Sequence, residues 1–469
     1  MGQDYLPKTP IKELPKPPGL RKMIGPSLIL LGLGLGSGEV ILWPYLSANF
    51  GLGIIWAALA GITIQFVLNM EVERYAVIKG ESVFIGFARL YRRLPIWFII
   101  STFIGFGWPG IIAASAKVLA QPLGIKNFEL LAIGLLILIG VILTLGPILY
   151  KTVETYQKVA ISIGIPIIFY LVFKTTTIAE TSDLFAGLMG QGNGYQFIPK
   201  GLPLFTFLGA LAYAGAGGNL NLAQSFYVRD KGYGMGKYGG RITSLITGTA
   251  EKVQITGSTF QVNAKNEKLF KKWWRLVNLE HGIVFWGIGF FTISMLALLS
   301  YSTTFGQAGN AEGINFILNE GNAITNLVGP TLAVIFFLVA ALMLFGTQLT
   351  VLDSTSRIMT ENYLIARFNR KNVKPPTIYY TVLWLQILFG IAVFLLGFSE
   401  PITLIVLGSV INAIAMLVSF VLILILNNTH LAKSLRPGII RKSVLIAAII
   451  FFTYFSYIAF TEALAKIIS

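Results

Sequence analysis

The chain has 469 residues, 55% of them hydrophobic and 12% charged, where soluble domains carry about 25% charged residues; this excludes a water-soluble globular protein. The formal charge of +16 would suit a nucleic-acid partner, but its placement along the chain follows membrane topology instead. There is no cysteine, which excludes disulfides, thiol ligands and thiol redox chemistry.

Eleven apolar runs are long enough to span ~30 Å of hydrocarbon. They centre near Leu35, Ile62, Ile111, Leu138, Ile165, Leu211, Phe290, Phe337, Leu388, Ala413 and Ile450. The first run is too long for a signal peptide and lacks a cleavage site. With residues 1–23 placed in the cytoplasm, 31 of the 36 lysines and arginines fall on the inner side. The positive-inside rule then puts the amino terminus inside and the carboxyl terminus outside a plasma (inner) membrane.

The organisation follows from these runs. Residues 24–174 hold segments one to five, 175–201 a polar outer loop, and 202–425 segments six to ten. Residues 426–469 hold an inner loop and the eleventh segment. A second polar loop is expected outside over Thr304–Val328. The longest insertion, residues 228–279, lies inside; Ile242–Val262 alternates as a small hairpin would, and Lys268–Arg275 reads as an amphipathic helix at the inner headgroups.

Two of the runs contain a flaw at mid-depth. In the first, Gly36-Ser37-Gly38-Glu39 interrupts a stretch of leucine, isoleucine and glycine. Each glycine costs a helix roughly 1 kcal/mol relative to alanine. A carboxylate at that depth must be paired, hydrated or neutralised. A packing face for a neighbouring helix explains the glycines equally well, but it does not explain Glu39. The sixth run places Ala216-Gly217-Gly218 before Asn219, Asn221 and Gln224. Two interrupted helices at corresponding positions of two halves point to an inverted-repeat transporter. The expected fold is therefore an all-α polytopic bundle of 5+5 helices plus an eleventh, with helices 1 and 6 broken near the midplane, which resembles the LeuT-type arrangement.

The chain also resembles the Nramp family of divalent-metal transporters over nearly its whole length. Gly25-Pro26-Ser27-Leu28 is similar to the family's opening Gly-Pro-Gly-Leu, and Tyr150-Lys151-Thr152-Val153-Glu154 to its basic-x-x-Glu stretch. Asn219-Leu220-Asn221-Leu222 is similar to its Asn-Leu-Tyr-Leu, and Ile358-Met359-Thr360-Glu361 to the end of its eighth helix. The departures fall on the chemistry. Gly36-Ser37-Gly38-Glu39 replaces Asp-Pro-Gly-Asn, and Ala216-Gly217-Gly218 replaces Met-Pro-His. The metal-binding positions that the resemblance implies are thus Gly36, Glu39 and Ala216, without the thioether that favours soft cations. The family's acidic third helix is also missing, since nothing acidic lies between Glu81 and Glu129, and the sixth-helix histidine is absent.

Two substrate readings stay open. Glu39, which would be the metal ligand, with Ser37, Asn219 and Asn221, makes an all-oxygen site that suits a hard, partly hydrated cation such as Mg²⁺. Alternatively, the Gly-Ser-Gly stretch holds the carboxylate of an amino-acid-like solute at a half-helix end. A receptor or scaffold without flux is a third reading. Gln348 and Asn412 either complete the site or bond helix to helix. Asp353 and Arg357, one turn apart, are expected to pair; Glu71, Glu73 and Arg74 are expected to be solvated. The partners expected are the bilayer and a small solute or ion, with no nucleic acid, no cofactor, no catalytic residue, and a monomeric state by resemblance.

Overall fold

The computed structural model describes residues 6–146, 148–239, 256–367 and 374–468. Among these, ten helices are long and apolar enough to cross a membrane. In chain order they are Pro26–Phe50, Leu52–Lys79, Leu94–Leu123, Phe128–Leu145, Leu149–Thr175, Ala264–Thr304, Pro330–Ala366, Pro375–Leu395, Pro401–His430 and Ile439–Ile458. The remaining one of the eleven segments, the sixth, is divided into Leu204–Ala212 and Leu220–Lys231, too short singly to span.

Local chemistry sets the ends. Proline occupies the first helical turn at Pro26, Pro330, Pro375 and Pro401, where its missing N–H costs nothing. Gly80 and Gly232 close the second and sixth segments in the left-handed region, at φ of +59° and +85°, which glycine adopts without a Cβ penalty. The third segment is interrupted after Phe106, and Pro109 caps a separate helix, Gly110–Leu123.

Burial separates centre from rim. The most apolar stretch of the first segment is 100% buried, against 28%, 33% and 17% for the fourth, fifth and eleventh. The first segment packs against the fifth, sixth, seventh and eighth and is the axis of the bundle. Leu138, Phe173, Leu388 and Ile450 stay exposed, as lipid-facing positions should.

Three expectations for the connections need correction. The stretch after Thr175 contains a helix, Ile178–Leu188, opened by a Thr177–Glu180 capping box, and a two-stranded turn pairing Gly192 with Tyr195. Thr304–Val328 contains the helix Asn315–Val328, which packs on the seventh and eighth segments. Lys268–Arg275 is no separate surface helix: Asn263 caps a helix from Ala264 that runs on into the seventh segment. Most of the hairpin expected over Ile242–Val262 lies outside the described residues. At its described end, Thr259 pairs in parallel with Ile11 of the amino-terminal stretch.

Candidate functional site

The sixth segment opens as expected. Its first helix ends at Ala212 and the second starts at Leu220, and between them Gly217 and Gly218 have φ of +77° and +46°. The gap frees backbone groups that must be satisfied in a dry interior. Gln65 of the second segment, fully buried, does this from one side chain. Its Nε2 donates to the carbonyls of Leu211 at 3.3 Å and Ala212 at 3.1 Å, and its Oε1 accepts from Gly217 N–H at 3.1 Å. An amide side chain in a run that is apolar from Ile54 to Leu68 apart from Thr63 was the sequence signal for Gln65.

The first segment behaves differently from the expected break. Over Leu35–Leu42 it widens into a π-helix, continuous with the α-helices on both sides, and Trp43 N–H donates to the Gly38 carbonyl five residues back. Its glycines serve close approach. A Cβ placed on Gly38 would lie 1.7 Å from the Tyr213 carbonyl oxygen. One placed on Gly36 would lie 2.6 Å from Thr347, and one on Gly34 3.1 Å from the Gly215 backbone. The first segment thus lies directly against the gap in the sixth, and the volume freed by its glycines is already filled by protein. π-turns of this kind recur at functional sites.

The site residues fall into groups. On the side of the third and tenth segments, Asn412 Nδ2 donates to the Gly105 carbonyl at 2.8 Å and to Tyr213 Oη at 2.7 Å. A Cβ on Gly218 would lie 2.3 Å from Asn412 Oδ1, so this oxygen looks into the gap. Asn219 Nδ2 donates to Ser101 Oγ at 2.8 Å and Thr102 Oγ1 at 2.9 Å. Asn221 Nδ2 donates to the Gly218 carbonyl at 3.5 Å. A carbonyl can only accept, so the nitrogens of Asn412 and Asn221 must face it and their oxygens point elsewhere. The oxygens of Asn219, Asn221, Gln348 and Asn412 find no hydrogen-bond partner among the described residues. Ser37 of the first segment and Ala216 of the gap are buried as well, each 2% exposed.

Glu39 lies on another face of the first segment. A Cβ on Gly289 of the seventh segment would lie 3.8 Å from Glu39 Oε1 and 2.8 Å from Ile62 of the second. The carboxylate is 1% exposed, and neither oxygen has a partner among the described residues. It therefore sits in the seam of the first, second and seventh segments rather than against Asn219 and Asn412.

The face of the bundle that carries the amino-terminal stretch holds charges that sequence reasoning set aside. Asp353 and Arg357 pair as expected, at 2.9 Å. Arg357 also reaches Asp230 of the sixth segment at 2.6 Å, while Tyr227 and Tyr379 both donate to Asp353. Arg229 holds Glu361 at 3.0 Å, and Lys231 holds Glu154 of the fifth segment at 2.8 Å. Glu71, Glu73 and Arg74 are not solvated but buried; Arg74 pairs with Glu71 at 2.7 Å. In sequence they look like a charged segment end. Only the returning sixth, seventh and tenth segments, with Arg441 beyond them, cover them.

No protein-family profile matches the sequence, and no curated relative matches it. Among solved structures, a point mutant of the manganese transporter of Eremococcus coleocola is similar with a TM-score of 0.71 at 13% identity, covering 98% of this chain and 91% of that one. A nucleobase-cation-symport-1 family transporter with bromovinylhydantoin bound is similar with a TM-score of 0.56 at 13% identity, over 95% of each chain. MhsT in complex with L-phenylalanine is similar with a TM-score of 0.53 at 13% identity, over 93% of this chain and 98% of that one. At this identity the likeness concerns architecture alone. That architecture is the LeuT-type fold of integral membrane transporters.

Proposed function

We propose that this protein is a secondary-active transporter of a hard divalent cation such as Mg²⁺, related to the Nramp family, with its site at the meeting of the first and sixth segments. The observation that carries the reading is the orientation of the site amides. Asn219, Asn221 and Asn412 spend their N–H groups on protein acceptors, leaving bare oxygens. A set of bare acceptors at the gap selects a cation, and amide oxygens select a hard one. The filled space at Gly36, Gly38 and Gly218 offers little room for an organic solute. Greater similarity to the manganese transporter than to the two carriers of organic molecules agrees with this choice. The amino terminus faces the cytoplasm of the cell whose inner membrane holds the protein, and the unit is a monomer. Proton movement by the family's third-helix route is absent.

The test is calorimetry and thermal shift of purified protein in nanodiscs with Mg²⁺, Mn²⁺ and a panel of amino acids. A ligand of the native state raises apparent stability by mass action. The reading requires a rise with Mg²⁺ that exceeds the rise with Mn²⁺ and is lost in Asn412→Ala. A rise with an amino acid and none with either metal would replace it.

A further inference from the structure

Below the gap in the sixth segment, four segments meet in a chain of hydrogen bonds that cation binding leaves unused. Gln224 Nε2 donates to Glu73 Oε1, and the same oxygen lies 3.4 Å from His281 Nδ1. That nitrogen is 2.8 Å from Ser27 Oγ, which in turn donates to Glu280 Oε2. Because the serine hydrogen goes to Glu280, His281 carries its proton on Nδ1 and donates it to Ser27. The five side chains come from the sixth, second, seventh and first segments, and each is at most 1% exposed. Glu73 Oε2, Glu280 Oε1, Gln224 Oε1 and His281 Nε2 have no partner among the described residues.

The surrounding charges are engaged elsewhere. Lys231 holds Glu154 and the Ile24 carbonyl, with Tyr150 beside them at Gly25. Asp230 pairs with Arg357, Tyr233 donates to the Met23 carbonyl, and Arg74 holds Glu71. Arg441 of the eleventh segment turns to Glu71 at 3.6 Å and to Asn278. Two buried carboxylates in one chain, with no lysine or arginine ion-paired to either among the described residues, cannot both stay ionised. The imidazole offers them a donor rather than a lone pair. Its ring is stacked between Phe66 and Phe285, with centroids 5.5 and 4.7 Å away. Among the described residues no three His, Cys, Asp or Glu are placed to hold a metal ion. The chemistry is that of a proton.

We propose that Glu73, Glu280 and His281, strung together by Ser27 and Gln224, bind one exchangeable proton in the inner half of the bundle. Its occupancy is tied to the two segments of the substrate site, because Ser27 stands on the first and Gln224 on the sixth. Phe285 joins the two levels: it stacks on His281, and a Cβ on Gly215 in the gap would lie 2.6 Å from its ring. Glu39 lies in the same seam, near Gly289, two turns outward along the seventh segment.

The chain has two histidines, so His430→Gln leaves His281 as the only imidazole. Protein with ¹³C,¹⁵N-labelled histidine in nanodiscs is titrated by NMR from about pH 5 to about pH 9, the range in which a shifted imidazole or carboxyl reports. The expected result is one titration step in the His281 ring signals as its carboxylate neighbours take up a proton. Glu73→Gln and Glu280→Gln should each remove the step or move its midpoint by about one pH unit, a tenfold change in proton affinity. Ser27→Ala keeps every charge and cuts the chain before Glu280; it should reproduce the Glu280→Gln profile even where that variant folds poorly. Ring signals that stay constant over the whole range would overturn the proposal. So would a step displaced at fixed pH by a tenfold change in Na⁺ or Mg²⁺, which marks a metal-ion site. No substrate enters this measurement, so its failure is separate from failure of cation binding at the gap in the sixth segment.

Discussion

The carbonyl oxygen of Tyr213 occupies the place where a side chain on Gly38 would begin: a Cβ there would lie 1.7 Å from it. The first segment reaches the gap in the sixth only because Gly38 has no side chain. Gly38→Ala must displace backbone on one side, which typically costs about 1–3 kcal/mol in a packed interior. Gly134, on the fourth segment, has nothing within 4 Å of its Cβ position. Gly134→Ala should leave stability unchanged or raise it by about 0.5–1 kcal/mol through helix propensity. Thermal melts of the two variants check this, and equal effects would mean that the approach of the two segments is not needed for the fold.

Glu39→Gln keeps the shape and removes a buried charge that has no partner among the described residues. The variant should fold with an unchanged or higher melting temperature, since the desolvation cost goes with the charge. The charge of Glu39 acts on the gap across the low-dielectric interior, so cation binding there should weaken at least about tenfold in calorimetry. A large loss of stability would instead reveal a structural partner for the carboxylate.

Arg357 sits 1% exposed between Asp353 and Asp230. Arg357→Met removes the cation that buried Asp353 and Asp230 share, while Arg229 stays 3.4 Å from Asp230, and breaking such an arrangement costs about 3–5 kcal/mol. Arg357→Lys should recover only part, because an ammonium lacks the fork that spans both carboxylates. Unfolding in a denaturant series gives both values.

Glu320 belongs to the helix between the seventh and eighth segments, outside the spans. Burial pushes its carboxyl well above the usual carboxylate range. The folded chain holds this proton more tightly than the unfolded chain does. The resulting stability is complete below the unfolded value of about 4.3, and it is lost as pH rises through the higher folded value. Glu320→Gln should therefore raise the melting temperature at neutral and alkaline pH and leave it unchanged in acid. A shift of equal size at every pH would assign the effect to packing.

Much of this architecture is legible in the sequence because the bilayer imposes length and apolarity, which need no knowledge of neighbours. The gap in the sixth segment is legible too, since Gly217 and Gly218 adopt backbone angles that only glycine takes freely. Gly36 and Gly38 look the same in one dimension, yet they mark an approach rather than an opening. What distinguishes them is the carbonyl of Tyr213, about 175 residues further along a chain whose contacts are set by burial rather than by sequence order. The polar cluster at His281 was hidden for a related reason. Glu73 and Glu280 each sit near a segment end, where a charge is ordinarily hydrated. Only the packing of four separate segments removes that water.

The stretch from Leu6 to Lys16 lies across segment ends at one face of the bundle. Arg89 donates to the Pro7 carbonyl, Tyr238 to Glu13 and Trp273 to Pro15, while Thr259 and Ile11 pair backbone to backbone. Trp273 is made 258 residues after the proline it holds, which at ribosomal speed is on the order of tens of seconds later. Throughout that wait the contacts that Tyr238, Thr259 and Trp273 give this stretch cannot all form. Seating of this stretch is therefore a late event of biosynthesis. A protease that clips it from nascent chains but spares mature ones would act as a clock for insertion of the seventh segment.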